Sequence, residues 1–208
     1  MDSLIITAYE FSTSFIPFII IMIFLNYQHK KQEICVSKMY CGIMTVFAIY
    51  IIAVFHFTSA GTLYDALLYK LERKQGQLNF IPFSNDIDIT AYLQNILLFI
   101  PFGFLVPFIC KQNVNIINIL STAFTFSLLI EVSQLLNNRR TDIDDLILNT
   151  FGAVIGFILY KFFIRITKFK LNHQSTQYNK LLIVIAVTFI GRFLLFNEIA
   201  FAKLFYKF

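Results

Sequence analysis

The sequence has no tryptophan, only four prolines, seven glycines and three cysteines in 208 residues, and only 14% of it is charged. Each shortage excludes something. A soluble domain carries about 25% charged residues, so this chain has too little polar surface to cover a water-facing globule. Without tryptophan, anchoring at a bilayer interface falls to its ten tyrosines. Cys35, Cys41 and Cys110 cannot close a disulfide framework, and no Cys-x-x-Cys occurs. No His-Glu-x-x-His, glycine-rich phosphate loop or nucleophile elbow is present. An intramembrane CAAX-type protease would need paired glutamates and histidines that this chain does not have. The amino terminus lacks a basic region and a small-residue cleavage site, so the first apolar segment is expected to stay in the membrane.

What is present is apolar. Hydrophobic residues make up 58% of the chain, 26 of them phenylalanine, and the mean hydropathy is +0.71. These values describe an all-α polytopic membrane bundle with lipid as its solvent. The abundance of Ile, Phe, Asn and Lys fits an AT-rich bacterial genome. A net charge of +5 suits anchoring to anionic lipid better than binding nucleic acid.

A spanning helix needs about 20 apolar residues, within a range of about 17–25. Six segments qualify: Phe11–Tyr27, Met39–Thr58, Ala91–Cys110, Ile116–Leu136, Leu146–Ile164 and Leu181–Phe201. The fifth reaches full length if Lys161 snorkels to the interface. The sixth is the weakest, because Arg192 and Glu198 interrupt it. Between the second and third, Leu63, Leu67 and Leu71 recur four apart, which predicts a short amphipathic surface helix ending near Gly76. An extended Asn-Phe-Ile-Pro-Phe segment follows, because Pro82 disfavours helix in the residue before it. Three regions result. Residues 1–58 hold two spans. Residues 59–164 hold the amphipathic helix, the extended segment and three spans. Residues 165–208 hold a basic loop and the last span.

Basic residues give the orientation. Lys30, Lys31, Lys38, Lys111, Lys161, Arg165, Lys168, Lys170 and Lys180 fall on one side; Lys70, Arg73, Lys74, Arg139, Arg140, Lys203 and Lys207 fall on the other. The larger set is assigned to the cytoplasm, which turns both chain ends outward.

On that topology three helices bring Asn95, Glu131, Gln134, Arg139, Asp142, Asp145 and Asn149 to one level in the outer third of the bilayer. Asp142, Asp145, Asn149, Gly152 and Gly156 form one helical stripe, polar outside and small deeper down. Glu131 and Gln134 share a face, and Arg139 could fold back as counter-ion for Glu131. Thr141 and Asp144 have the spacing of a variant capping box, and the aspartates complement a helix dipole, so part of the acidic run needs no role beyond starting the fifth span. The Gly152–Gly156 spacing reads as packing, His56 as a satisfied packing residue, and Arg192 as either an inward partner or a sign that the sixth span is misplaced. Pro101 is expected to free the carbonyl near Leu97.

"NILLFIPFGF" (Asn95–Phe104), "EVSQ" (Glu131–Gln134) and "RRTDIDDLILNTFGAVIG" (Arg139–Gly156) occur in an order and spacing that resembles the VanZ-like family, and "LNFIPFSND" (Leu78–Asp86) resembles its Asn-x-x-Pro-Phe segment. The resemblance covers roughly Leu78 to Tyr160. It carries over Asn79, Pro82, Phe83, Asn95, Pro101, Gly103, Glu131, Gln134, Arg139, Asp142, Asp145, Asn149, Gly152 and Gly156. Two positions depart: Asn138 stands where the family often has Gly, and Ala153 where a second Gly often follows Gly152.

The family is associated with reduced susceptibility to teicoplanin-type lipoglycopeptides. The resemblance therefore implies a cell-envelope protein at the outer leaflet, with no cofactor and with lipoglycopeptides or lipid-linked cell-wall precursors as partners beside the bilayer. Two other readings stay open. One is a membrane enzyme acting on polyprenyl diphosphates, with Asp142 and Asp145 holding Mg²⁺ and Arg139 and Arg140 holding phosphate. The other is a small-solute carrier using Glu131 as relay, against which stands the lack of an inverted repeat.

Overall fold

The computed structural model describes residues 2–31, 37–69, 77–84, 88–110, 114–168, 178–198 and 200–201. Its helices are α1 (Asp2–Lys31), α2 (Lys38–Phe57), α3 (Leu63–Leu68), α4 (Ile89–Ile109), α5 (Ile116–Gln134), α6 (Ile143–Thr167) and α7 (Tyr178–Leu195). Two short strands, β1 (Leu78–Asn79) and β2 (Thr141–Asp142), complete it. The chain is an all-α membrane bundle. Among the described residues, five helices are long and apolar enough to cross a bilayer, namely α1, α2, α4, α5 and α6.

The sixth expected span is not one of these five. The helix there, α7, is 18 residues long and ends at Leu195. Asn197 then accepts the Ala200 backbone N–H at 2.9 Å, so the chain turns before the expected boundary at Phe201. α7 lies along α1, where Gly191 leaves room for the Pro17 ring: a Cβ at 191 would collide with it. α1 extends beyond the expected Phe11–Tyr27 at both ends. Its 30 residues correspond to about 45 Å at 1.5 Å each, more than the hydrocarbon thickness.

The core is aromatic. Phe102 stacks on Phe126 with centroids 5.4 Å apart, Phe99 lies 5.5 Å from Phe126, and Phe55 meets Phe126 edge-on at 5.7 Å. All four rings are buried. Lipid tails are as apolar as phenylalanine, so such helices associate through close packing and polar contacts rather than expulsion of water.

Helices α4 and α6 make the closest approach. A Cβ at Gly103 would collide with the Ala153 carbonyl, one at Gly152 with the Ile96 carbonyl, and one at Gly156 with the Ile100 carbonyl. Glycines on both helices therefore let the backbones touch. α4 continues through Pro101 and Pro107. Beside the carbonyl that Pro101 leaves without a helical donor, the Tyr50 hydroxyl donates to the Leu98 oxygen at 2.8 Å.

The amphipathic segment is helical over Leu63–Leu68, started by a capping box in which Thr62 and Asp65 bond reciprocally. Leu67 and Leu68 are exposed; Leu71 and Gly76 lie outside the described residues.

Candidate functional site

The site is built on a two-residue parallel ladder. β1 pairs with β2 so that Leu78 faces Thr141 and Asn79 faces Asp142, and the Thr141 N–H donates to the Gln77 carbonyl at 2.8 Å. A ladder this short has little stability alone, and side chains fix it. The Asn79 amide donates to both Asp142 oxygens, at 3.0 and 3.2 Å. Its own oxygen accepts from the Ile81 N–H at 3.2 Å and the Ser84 hydroxyl at 3.1 Å, an Asx-type turn around Pro82. Phe83 then adopts φ 53°. Its N–H reaches Asp144 Oδ1 at 2.8 Å.

The helix start differs from the expected capping box. Thr141 is occupied by the ladder, and its hydroxyl donates to the Glu131 carbonyl at 2.9 Å. Asp142 is the N-cap instead, accepting the Asp144 N–H at 3.1 Å. Asp144, 2% exposed, does more than complement a dipole: beyond Phe83, it accepts the Tyr92 hydroxyl at 2.9 Å. It thus ties the extended segment to the start of α4.

Four carboxylates meet at this end of the bundle. Asp145 accepts from the Asn95 amide at 2.5 Å. Glu131, 2% exposed, accepts the Asp142 backbone N–H at 3.3 Å. The donors are amides, a hydroxyl and backbone N–H groups. The one ion pair recorded there among the described residues is Arg140 Nε to Asp142 Oδ2, at 3.7 Å and half exposed on the arginine side.

Not every expected residue joins them. Gln134 donates to the Thr58 carbonyl at 2.8 Å, and Arg139 to the same oxygen at 2.9 Å. Three residues of α-helix turn about 300°, so Gln134 points roughly 60° away from Glu131, toward the end of α2. Arg139 is not the counter-ion of Glu131; no ion pair joins them among the described residues. Asn149, also buried, donates to Ser127 on α5 at 2.9 Å. The expected stripe on α6 is therefore shared: Asp145, Gly152 and Gly156 meet α4, whereas Asn149 meets α5. Asn138 adopts φ 59°, the left-handed geometry that glycine would supply, and its side-chain oxygen accepts from Gln77 at 3.3 Å.

Residues that the pattern did not single out also matter. Tyr92, Ser127 and Gln77 are polar groups on otherwise apolar or loop segments, with no spacing to mark them. Around the end of α2, three successive carbonyls each take a side-chain donor: Thr58 from Gln134 and Arg139, Ser59 from Asn137 at 2.7 Å, and Ala60 from Arg192. Thr58 is the C-cap of α2, and Ser59 and Ala60 lie in the turn just beyond it, so side chains from other elements pin the way the chain leaves this helix. Arg192 also pairs with Glu10 at 2.7 Å, and Glu10 with His56 at 2.7 Å. Arg192 is therefore an inward partner on a helix packed against α1.

Among the described residues, no group of three or more His, Cys, Asp or Glu side chains is placed to hold a metal ion. Asp142 and Asp145 are each held by an asparagine amide.

The VanZ/LLP1 family model matches residues 18–165, a stretch that encloses all four carboxylates and leaves Glu10 and Arg192 outside. No curated protein and no solved structure matches the chain. With most of its length covered by that match, and with its membrane helices, the chain belongs to the VanZ/LLP1 family of multi-pass membrane proteins.

Proposed function

We propose that this protein works at the outer face of a bacterial cytoplasmic membrane, where its polar cluster lowers susceptibility to teicoplanin-type lipoglycopeptides. One observation carries the reading: Glu131, Asp142, Asp144 and Asp145 gather at one end of the bundle on amide, hydroxyl and backbone partners, with Arg140 beside Asp142. Polar groups this costly to bury in a bilayer mark functional positions. The basic loops assigned to the cytoplasm leave this end on the outside, where the drugs and the lipid-linked wall precursors meet the membrane. Beside the carboxylates, Phe80, Ile81 and Phe83 are 69%, 68% and 52% exposed. An apolar edge next to a polar cluster suits an amphipathic partner, one with a lipid chain and a hydrogen-bonding head.

The reading is tested in a strain whose gene for this protein is deleted and then restored. Restoration is expected to raise the teicoplanin concentration needed to stop growth. Equal susceptibility with and without the protein, at verified membrane levels, rejects the role.

A further inference from the structure

A cavity of about 400 Å³ opens between α1, α2, α3 and α7, beside the Thr58–Gly61 turn. Its wall includes Glu10, Arg192 and Glu198, which the family match does not cover, and none of the four gathered carboxylates lines it.

The polarity of the wall is lopsided. Arg192 is its guanidinium, and each of its three nitrogens already holds an acceptor, Nε and Nη2 on Glu10 Oε1 at 2.9 and 2.7 Å and Nη1 on the Ala60 carbonyl, which leaves one further N–H on each Nη. Asn137 donates one of its two amide hydrogens to the Ser59 carbonyl, and its buried Oδ1 has no partner among the described residues. Glu10 Oε2 takes Nδ1 of His56 at 2.7 Å. That contact puts the hydrogen on Nδ1, and in the neutral ring it leaves Nε2 as an acceptor on a side chain 46% exposed. Asp65, whose Oδ2 already accepts from the Thr62 N–H and hydroxyl, and Glu198 add carboxylates, so three acids line the wall beside one arginine whose charge Glu10 balances. Tyr64 and Tyr69 add aromatic residues to the same wall, where the Phe196 ring already carries the Arg192 guanidinium 5.3 Å from its centroid.

A guanidinium already neutralised by Glu10, an acceptor on His56, surplus carboxylates and aromatic residues favour one chemistry. We propose that this cavity binds a small organic cation through an ammonium group, which donates to His56 Nε2 and Asp65 or Glu198 while its carbon skeleton lies against the rings. The ammonium belongs either to a soluble amine or to a lipid headgroup such as ethanolamine, and the cavity's place at the bundle end admits both.

The test uses the full chain in a non-ionic maltoside detergent, with 2-phenylethylammonium as probe in equilibrium dialysis. Saturable binding is expected with a Kd below about 1 mM, at least about tenfold tighter than the neutral isostere 2-phenylethanol. Phenylacetate is expected not to bind. Glu198→Gln should weaken the ammonium and Glu198→Lys should abolish its binding, while both variants keep the melting temperature of the unliganded protein. Displacement of the probe by added phosphatidylethanolamine assigns the site to a headgroup; retention assigns it to a soluble amine. Equal affinity for the neutral or anionic analogue, no binding of the ammonium, or wild-type binding by Glu198→Lys overturns the proposal.

Discussion

The side-chain amide of Asn95 on α4 donates to Oδ1 of Asp145 on α6 at 2.5 Å, across 50 positions of sequence. The bond crosses the α4–α6 seam about two and three turns of α6 above the backbone contacts made by Gly152 and Gly156. It holds a half-buried acid with a neutral partner, and so fixes the carboxylate's direction without cancelling its charge. Removing the donor leaves that acid without its one side-chain partner. Asn95→Ala is expected to cost about 1.5–3 kcal/mol, the range for hydrogen bonds to charged groups. A melting curve of the purified protein in detergent measures it.

The α4–α6 seam makes a sharper prediction. At Gly103 and Gly156 a side chain would meet backbone, which cannot rotate away. Gly103→Val and Gly156→Val are each expected to cost about 3 kcal/mol or more, seen as loss of protein from the membrane fraction. Gly42 on α2 is the control, since nothing lies within 4 Å of a Cβ there. Gly42→Ala should hold or raise the melting temperature, with a gain of up to about 1 kcal/mol from helix propensity.

Much of this architecture is legible in sequence, because the bilayer demands long apolar helices and the Gly152–Gly156 spacing marks a close contact. Helix rise brings Asn95 near Asp145 and Glu131 near Asp142, and these contacts are made. The other partners could not be read this way. Glu131 and Gln134 share a face by spacing, but the end of α5 lies between two neighbours and each residue takes a different one. Asp142 reads as one of three acids in a first turn; only the parallel ladder, a pairing 63 residues apart, sets it against Asn79. The Glu10–Arg192 pair joins residues at opposite ends of the chain, and no local pattern records such a contact. The signal available was two opposite charges in separate apolar segments.

Asp144 holds the extended segment in place through the Phe83 N–H and the Tyr92 hydroxyl. Asp144→Ala should free residues 77–84, read as faster amide exchange at Phe83 and faster proteolysis within that segment. Tyr92→Phe removes one of the two contacts and should cost only about 1–2 kcal/mol. Equal exchange in wild type and Asp144→Ala would show that the β1–β2 ladder suffices alone.

The ion pair between Glu10 and Arg192 is buried on both sides, with 8% and 5% of the side chains exposed. Removing one partner strands the other charge, so Glu10→Leu and Arg192→Leu should each cost about 3–5 kcal/mol. The double variant should cost much less than the sum. Additive losses in a thermal double-mutant cycle would mean that the two residues act independently.

The central claim is that the gathered carboxylates are the working part of the molecule. Its most direct test measures teicoplanin susceptibility in the deletion strain carrying wild type, Asp145→Asn or Glu131→Gln, with equal amounts of each protein in the membrane. The account predicts that wild type protects and that both substitutions remove the protection. Protection by both variants equal to that of wild type would contradict it.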